Sequence, residues 1–333
     1  MRLLRRLCLS DETCRLDNSG QRLKAISMSR VTVFPHAVDT VSEALAYETL
    51  WARRGATVKR ISELFAGRRV LPSQVLSEVQ DDSVGALCRE VEATLRNRLS
   101  GIGISVSTTI QYPQGLRSSK YPVELFYYQG NLDLLSMGLV SIVGSRQASA
   151  RSLAISRDLV WDLIEDDWYV VSGLARGVDT AVLKAAQDRN TASVAVIGTP
   201  LDVYYPPENC ELQDHIARHG LLISHVPFYR YDRESFASHR SHFPWRNDTM
   251  AAISRATVIM EAGDTSGTLT QARSALQQGR PLFIHESCVT RKDLTWPKTY
   301  VNRGAIVFRT AADLIDHLYK VKTPEQNEFD EMA

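Results

Sequence analysis

The pattern of apolar and polar positions changes character near Gly101. Before it, apolar residues recur at helical spacing. In VSEALAYETLWARR, which starts at Val41, Ala44, Leu45, Tyr47, Leu50 and Trp51 fall on one face of a helix. ATVKRISELFA, PSQVLSEV and DDSVGALCREVEATLRNRL continue the helical pattern, with Thr57 and Pro72-Ser73 as helix starts. Residues 38–100 are therefore expected to form a small all-helical domain, a packing or dimerisation module on composition alone. Residues 1–37 mix charged and small polar residues without any period, so a disordered N-terminal arm is expected there.

After Gly101 short apolar runs alternate with amphipathic stretches, which is the mark of a doubly wound α/β sheet. VSIV, WYVVS, TASVAVI, LLIS, TVIM and PLFI read as strands buried on both faces. ARSLAISRDLVWDLIEDD, TAVLKAAQDR, CELQDHIARH, DTMAAISRA, LTQARSALQQ and TAADLIDHLYK read as the intervening helices. Residues 229–248 carry no period and are expected to be irregular, and the polar, acidic end over 321–333 is expected to be disordered.

Three of these strands run into a turn containing glycine: IVGSR, VVSGLARGVD and MEAGDTSGT. In an open α/β sheet, ligands sit beyond the carboxyl ends of the strands where the strand order reverses, so three such turns converging there point to one site. Backbone N–H groups at a tight turn and a helix N-terminus favour an anion. In the first turn, Gly144 and Ser145 lead to Arg146, whose planar guanidinium suits a phosphate clamp or, alternatively, an ion pair with Asp179. In the second, Ser172, Gly173 and Gly177 allow close backbone approach and Arg176 adds a charge, although such glycines also serve tight packing alone. Asp179 suits helix capping and is expected to be structural. In the third, Ser266, Gly267 and Thr268 open a helix and suit a phosphate.

None of the turns is G-x-G-x-x-G or G-x-x-x-x-G-K-S/T, which excludes the usual dinucleotide fingerprint and the P-loop. The stretch HVPFYRYDRESFASHRSHFPWRND interleaves Arg230, Arg233, Arg240 and Arg246 with six aromatic rings, the combination that single-strand binding uses: cations for the backbone, rings for the bases. His225, His239, His242 and His285 lack carboxylate or cysteine companions at ligand spacing, so no metal and no cofactor is expected. No G-x-S-x-G elbow supplies a nucleophile.

Composition narrows the partners. The 333 residues are 44% hydrophobic and 23% charged, as in an ordinary globular protein, with a net charge of +1. Nucleic acid must then be held by local patches and not by a global field. Five scattered cysteines without a CxxC pair argue for free thiols in a reducing compartment, and no apolar run reaches membrane-spanning length. A cytoplasmic protein with no membrane contact is expected.

The ordered motifs YPQGL, ELFYYQGN, SIVGSR, SGLARGVD, VAVIGTPLDVYYPPEN, FPWRN, MEAGDTSGTLT, ARSALQQGRPLF and VNRGAIV resemble the DNA-processing protein A (DprA/Smf) family over residues 101–320. The resemblance implies an extended Rossmann-like fold with a mostly parallel sheet. It also implies a non-catalytic, dimeric, single-stranded-DNA-binding protein that protects the strand and helps load a RecA-type recombinase during transformation and recombination. Within the family motif, the basic residue and the ring that line the pocket fall on Arg240 and Phe243, and the R-N pair falls on Arg246 and Asn247.

The chain departs from the family pattern at several positions. The usual His is Leu183, the usual Glu is His225, the usual second Arg of R-N-R is Asp248, which is expected to place an anion beside the groove, and the usual Pro-Gly is Glu286-Ser287. Only a short acidic tail stands in place of the family's winged-helix-like extension. These departures keep open a nucleotide-sensing or nucleotide-hydrolysing role on the same fold, acting in phage defence. Phosphoribohydrolases of related fold carry a Glu after the third loop to help cleave a glycosidic bond. Here Gln271 occupies that place, and an amide is no general acid or base, so no enzyme is expected.

Overall fold

The four predicted helices form at Thr40–Ala52, Val58–Phe65, Pro72–Ser77 and Val84–Leu95. The first two are capped as their sequences demand. Asp39 accepts from the backbone N–H of Val41 and Ser42, and Thr57 Oγ1 accepts from Arg60 N at 3.2 Å. Pro72 occupies the first turn of the third, where its missing N–H costs nothing. This is a computed structural model, and it describes residues 38–109, 111–322 and 324. The expected N-terminal arm over 1–37 lies outside the described residues, and the expected tail over 321–333 lies almost wholly outside them.

The first helix buries far more than the stripe its spacing predicts. Every residue from Glu43 to Trp51 is buried, because other helices cover one side and the edge of the sheet covers the other. Two carboxylates enter with it. Glu43 accepts from Ser73 N and Ser73 Oγ at 2.8 and 2.7 Å, capping the helix that begins at Pro72. Glu48 accepts from Tyr127 Oη at 2.6 Å and from the backbone N–H of Phe228 and Tyr229 at 2.8 and 3.0 Å. One apolar cluster runs from Tyr47, Leu50 and Trp51 through Phe126 and Tyr127 to Trp245.

The described residues build a nine-stranded sheet. Its strands are β1 (Gly103–Val106), β2 (Leu125–Gly130), β3 (Leu139–Val143), β4 (Tyr169–Ser172), β5 (Val194–Val196), β6 (Leu221–Ser224), β7 (Ala256–Ile259), β8 (Leu282–His285) and β9 (Ile306–Phe308). Their order is β1-β2-β6-β5-β4-β3-β7-β8-β9. The pairing of β2 is antiparallel to both β1 and β6, and every pair from β6 to β9 is parallel. The fold is thus the α/β, Rossmann-like, mostly parallel arrangement expected. β3, β5, β6, β7 and β8 are buried at every position and β4 at all but Tyr169, and for this reason they read as continuous apolar runs.

The strand order reverses at β3. From there the chain winds outward through β4, β5 and β6, then returns to β7 on the other side of β3. The loops leaving β3 and β7 diverge at this point and leave a crevice above their ends.

The stretch 229–248, expected to be irregular, is mostly helical: Phe228–Tyr231, Phe236–His239 and the long helix His242–Ile253. The long helix buries Trp245, Arg246, Asn247, Thr249, Met250 and Ala251 in near succession, so it has no polar face to give it a period. Pro244 is its third residue, inside the first turn, and therefore does not break it.

Candidate functional site

The crevice is a cleft of about 780 Å³ lined by the loops after β3, β4 and β7, by the Tyr205–Pro207 segment and by the start of the helix His242–Ile253. Its walls approach too closely for side chains at key points. A Cβ at Gly144 would lie 2.5 Å from Val178 Cγ2, and one at Gly177 would lie 2.2 Å from Ser145 O. Gly177 also has φ of +75°, which disfavours any other residue. Thr268 Oγ1 donates to Gly144 O at 3.0 Å and ties the third loop to the first. Ser266 Oγ accepts from Thr268 N at 3.2 Å, fixing the entry to the helix Thr268–Gln277.

Of the predicted residues, the structure brings Gly144, Ser145, Arg146, Arg176, Phe243, Arg246, Asn247, Ser266, Gly267 and Thr268 together along this cleft. Their environments differ sharply. Arg146 is exposed, lies 5.7 Å from the Phe243 ring and makes no ion pair among the described residues. The alternative ion pair with Asp179 does not form. Phe243 is half-buried and meets Tyr205 with ring centroids 5.5 Å apart. Arg176 is exposed but paired with Glu208.

Arg246 is only 6% exposed. Its Nη1 donates to Gly173 O at 2.6 Å and to Val196 O at 3.0 Å. Beside it, Asp179 accepts from Gly173 N at 3.2 Å and Ala175 N at 3.4 Å. Burial pushes the Asp179 carboxyl above its ordinary range, and the Arg246 charge pulls it back. Asp179 thus holds the backbone of the second loop, and the helix Val178–Asp188 has no side-chain cap where capping was expected.

Four predicted residues do not line the cleft. Ser172 is fully buried and donates to Ile142 O at 2.7 Å, joining β4 to β3. Gly173 is where it is because a Cβ would lie 1.7 Å from Arg246 Nη1. Gly177 packs under the first loop as described. Arg240 caps the turn Phe236–His239, exposed and beyond the lining residues.

Sequence reasoning assigned no role to Tyr205, Thr265, Thr270 or Gln147, all of which line the cleft. It also missed Asn209, whose Nδ2 donates to Leu174 O at 2.9 Å and Thr180 Oγ1 at 2.8 Å, latching the second loop. The motif LDVYYPPEN held the signal, since an Asn closing a proline-rich loop is a ready partner for backbone.

The departures from the family pattern turn away from the cleft. His225 is buried under it, with Nδ1 2.8 Å from Thr249 Oγ1 and its ring 3.8 Å from Trp245, and burial holds its pKa well below the ordinary value. Leu183 is core. Asp248, expected to place an anion beside the groove, instead accepts from Ser274 Oγ on the neighbouring helix. Gln271 does line the cleft, but it is only 1% exposed and donates from Nε2 to Thr257 Oγ1 at 3.3 Å. The histidines are held singly, His239 by Tyr231 O and His242 by Glu234, and no group of three potential metal ligands occurs among the described residues. No described helix is long and apolar enough to cross a membrane.

A family model described as DNA recombination-mediator protein A matches residues 104–319. The chain belongs to this family. The DNA processing protein DprA of Streptococcus pneumoniae is 38% identical over 172 residues, 52% of this chain and 58% of that protein. The DNA processing protein DprA of Bacillus subtilis is 29% identical over 268 residues, 77% of this chain and 86% of that one. The crystal structure of the Streptococcus pneumoniae protein superimposes with a TM-score of 0.67 at 25% identity, covering 84% of this chain and 98% of that chain. The protein of Helicobacter pylori, solved for its single-stranded-DNA binding mode, shares the fold with a TM-score of 0.56 at 24% identity, covering 66% of this chain and 96% of that one.

Proposed function

We propose that the cleft holds the sugar–phosphate backbone of single-stranded DNA, and that the protein is a non-catalytic recombination mediator. The observation that carries this reading is Arg146. It stands exposed at the mouth of a cleft built at the strand-order reversal, without an acidic partner among the described residues, over an aromatic ring. A permanent cation on a flat ring, beside the N-terminus of the helix Thr268–Gln277, offers one group for a phosphate, one for a base and a dipole of the right sign. The membership in a recombination-mediator family supports the same reading, as does the DNA-binding relative. In this proposal the protein acts in the cytoplasm as a homodimer and passes the strand to a RecA-type recombinase.

Catalysis has little to work with in the cleft. Its one buried carboxylate, Asp179, is taken up by two backbone N–H groups and the Arg246 charge, and the position that a glycosidic-bond hydrolase fills with Glu holds Gln271.

Fluorescence anisotropy with labelled oligo-dT across a salt series tests the reading. Wild type is expected to bind at low salt. Arg146→Ala is expected to weaken binding about tenfold and to flatten the salt slope by about 0.7, one phosphate contact on a single strand. Absence of binding at low salt, or an Arg146→Ala slope equal to wild type, overturns it. A mononucleotide that displaces the oligo at comparable concentration would favour the nucleotide-sensing role instead.

A further inference from the structure

Beyond the cleft mouth, the surface of residues 228–243 carries a row of aromatic rings. Tyr205, 37% exposed, packs on Phe243 of the cleft. Tyr231 lies flat on His239, with ring centroids 3.7 Å apart and planes 8° apart. That pair is pinned, since His239 Nε2 lies 2.9 Å from Tyr231 O. The His239 ring in turn meets Phe236 edge-on at 6.3 Å, and Phe236 is 72% exposed. Tyr231 also meets the ring of His242, the residue before Phe243, with centroids 5.8 Å apart, which joins the pair to the cleft end of the row. A single exposed ring is unremarkable. A pinned pair with a free ring at its end, continuous with a cleft that already holds one, is not explained by packing.

The charges around this row are sorted in one direction. Its acids already have partners: Asp232 is paired with Arg98, and Glu234 with Arg230 and His242. Arg233 is paired with Glu90 and lies over Tyr229. Arg240, next to the pinned pair, is exposed and makes no ion pair among the described residues. Arginines without an ion pair among the described residues therefore accompany the row, Arg146 at the cleft end and Arg240 next to the pinned pair.

We propose that Tyr205, the Tyr231–His239 pair and Phe236 form a stacking ledge for the bases of the strand as it leaves the cleft, with Arg240 holding a phosphate beside them. Every base has a π-face, so such a ledge lengthens the site without adding sequence preference. The inference rests on the cleft being a single-strand site, and it fixes the direction of the strand from Arg146 toward Phe236.

The test uses the full chain and labelled oligo-dT of about 6 and about 20 nucleotides, a length held by the cleft alone and one that reaches past it. Phe236→Ala removes an exposed side chain and leaves the fold intact. It is expected to weaken the long oligonucleotide at least about fivefold, equivalent to about 1 kcal/mol of stacking, with the short one and the salt slope unchanged. His239→Ala is expected to act in the same sense, and Arg240→Ala to flatten the long-oligonucleotide slope by about 0.7. Phe236→Ala and His239→Ala variants that bind the long strand like wild type overturn the ledge, as does equal loss on both lengths. If Arg146→Ala still weakens both lengths in that case, the cleft reading survives alone. If wild type binds neither length, the cleft reading fails first.

Discussion

The loops after β3 and β4 resemble each other as sequence, each a buried strand running into glycine and then arginine, yet they hold opposite places in the molecule. The β3 loop ends in Arg146, exposed and without an acidic partner among the described residues. The β4 loop is committed inward almost residue by residue. Ser172 bonds β3, Gly173 makes room for Arg246, Leu174 sits buried at φ of +57°, and Arg176 is paired with Glu208. Glycine in such a loop reports that something approaches closely. In the first loop the approaching walls shape a cleft; in the second, what approaches is the protein's own guanidinium. The contrast assigns contact to the first loop and scaffolding to the second.

Arg246 gives the comparison its most severe test, because it touches the cleft while bonding only to the scaffold. Arg246→Leu leaves the carbonyls of Gly173 and Val196 without Nη1 and removes the buried charge that lowers the Asp179 pKa. Leaving buried acceptors unpaired costs about 1–3 kcal/mol each. Urea unfolding is expected to register that loss, while Arg146→Ala shifts stability by less than about 0.5 kcal/mol. An Arg246→Leu protein as stable as wild type but unable to bind DNA would make Arg246 a contact residue and dissolve the distinction.

Glu48 extends the contrast to a second buried charge. Burial raises its pKa from the ordinary 4.5 to about 7, against the pull of the bonds from Tyr127, Phe228 and Tyr229. An acid whose folded pKa is raised binds its proton more tightly in the native state. Its contribution is therefore complete below pH 4.5 and is lost as pH climbs through 7, up to about 3 kcal/mol in all. Urea midpoints taken between pH 4.5 and 8 should fall with rising pH. Glu48→Gln cannot ionise and should flatten that trend while losing an acceptor toward one backbone N–H. A Glu48→Gln protein with the wild-type trend would place the titrating group elsewhere.

These residues also mark where sequence reading succeeds and where it stops. The parallel strands were legible because burial on both faces writes an unbroken apolar run. Of the helix His242–Ile253 only the second half was, as DTMAAISRA; its first turns were not, because near-complete burial removes the polar positions that give a helix its period. In the site, the three glycine turns announced the cleft. Arg146 was singled out as a clamp by its turn, but that Arg246 faces inward was hidden, since nothing in the letters F-P-W-R-N separates a contact arginine from a buried one. Asp248 was misplaced for a related reason: one step along the helix from Asn247 turns a side chain by about 100°, enough to carry it from the cleft to Ser274.

The smallest expected effect separates the two loops most finely. Arg176 lines the cleft as Arg146 does, but Glu208 holds its guanidinium. A phosphate reaching Arg176 must displace that carboxylate, so the net gain in contact is slight and few counterions are released. Arg176→Ala is expected to weaken oligo-dT binding less than Arg146→Ala does and to leave the salt slope nearly unchanged. Glu208→Gln frees the guanidinium and should steepen the slope by up to about 0.7, a contact the wild type does not make. Equal slopes for Arg176→Ala and Arg146→Ala would mean that the strand recruits both arginines, and the β4 loop would then be contact as well as scaffold.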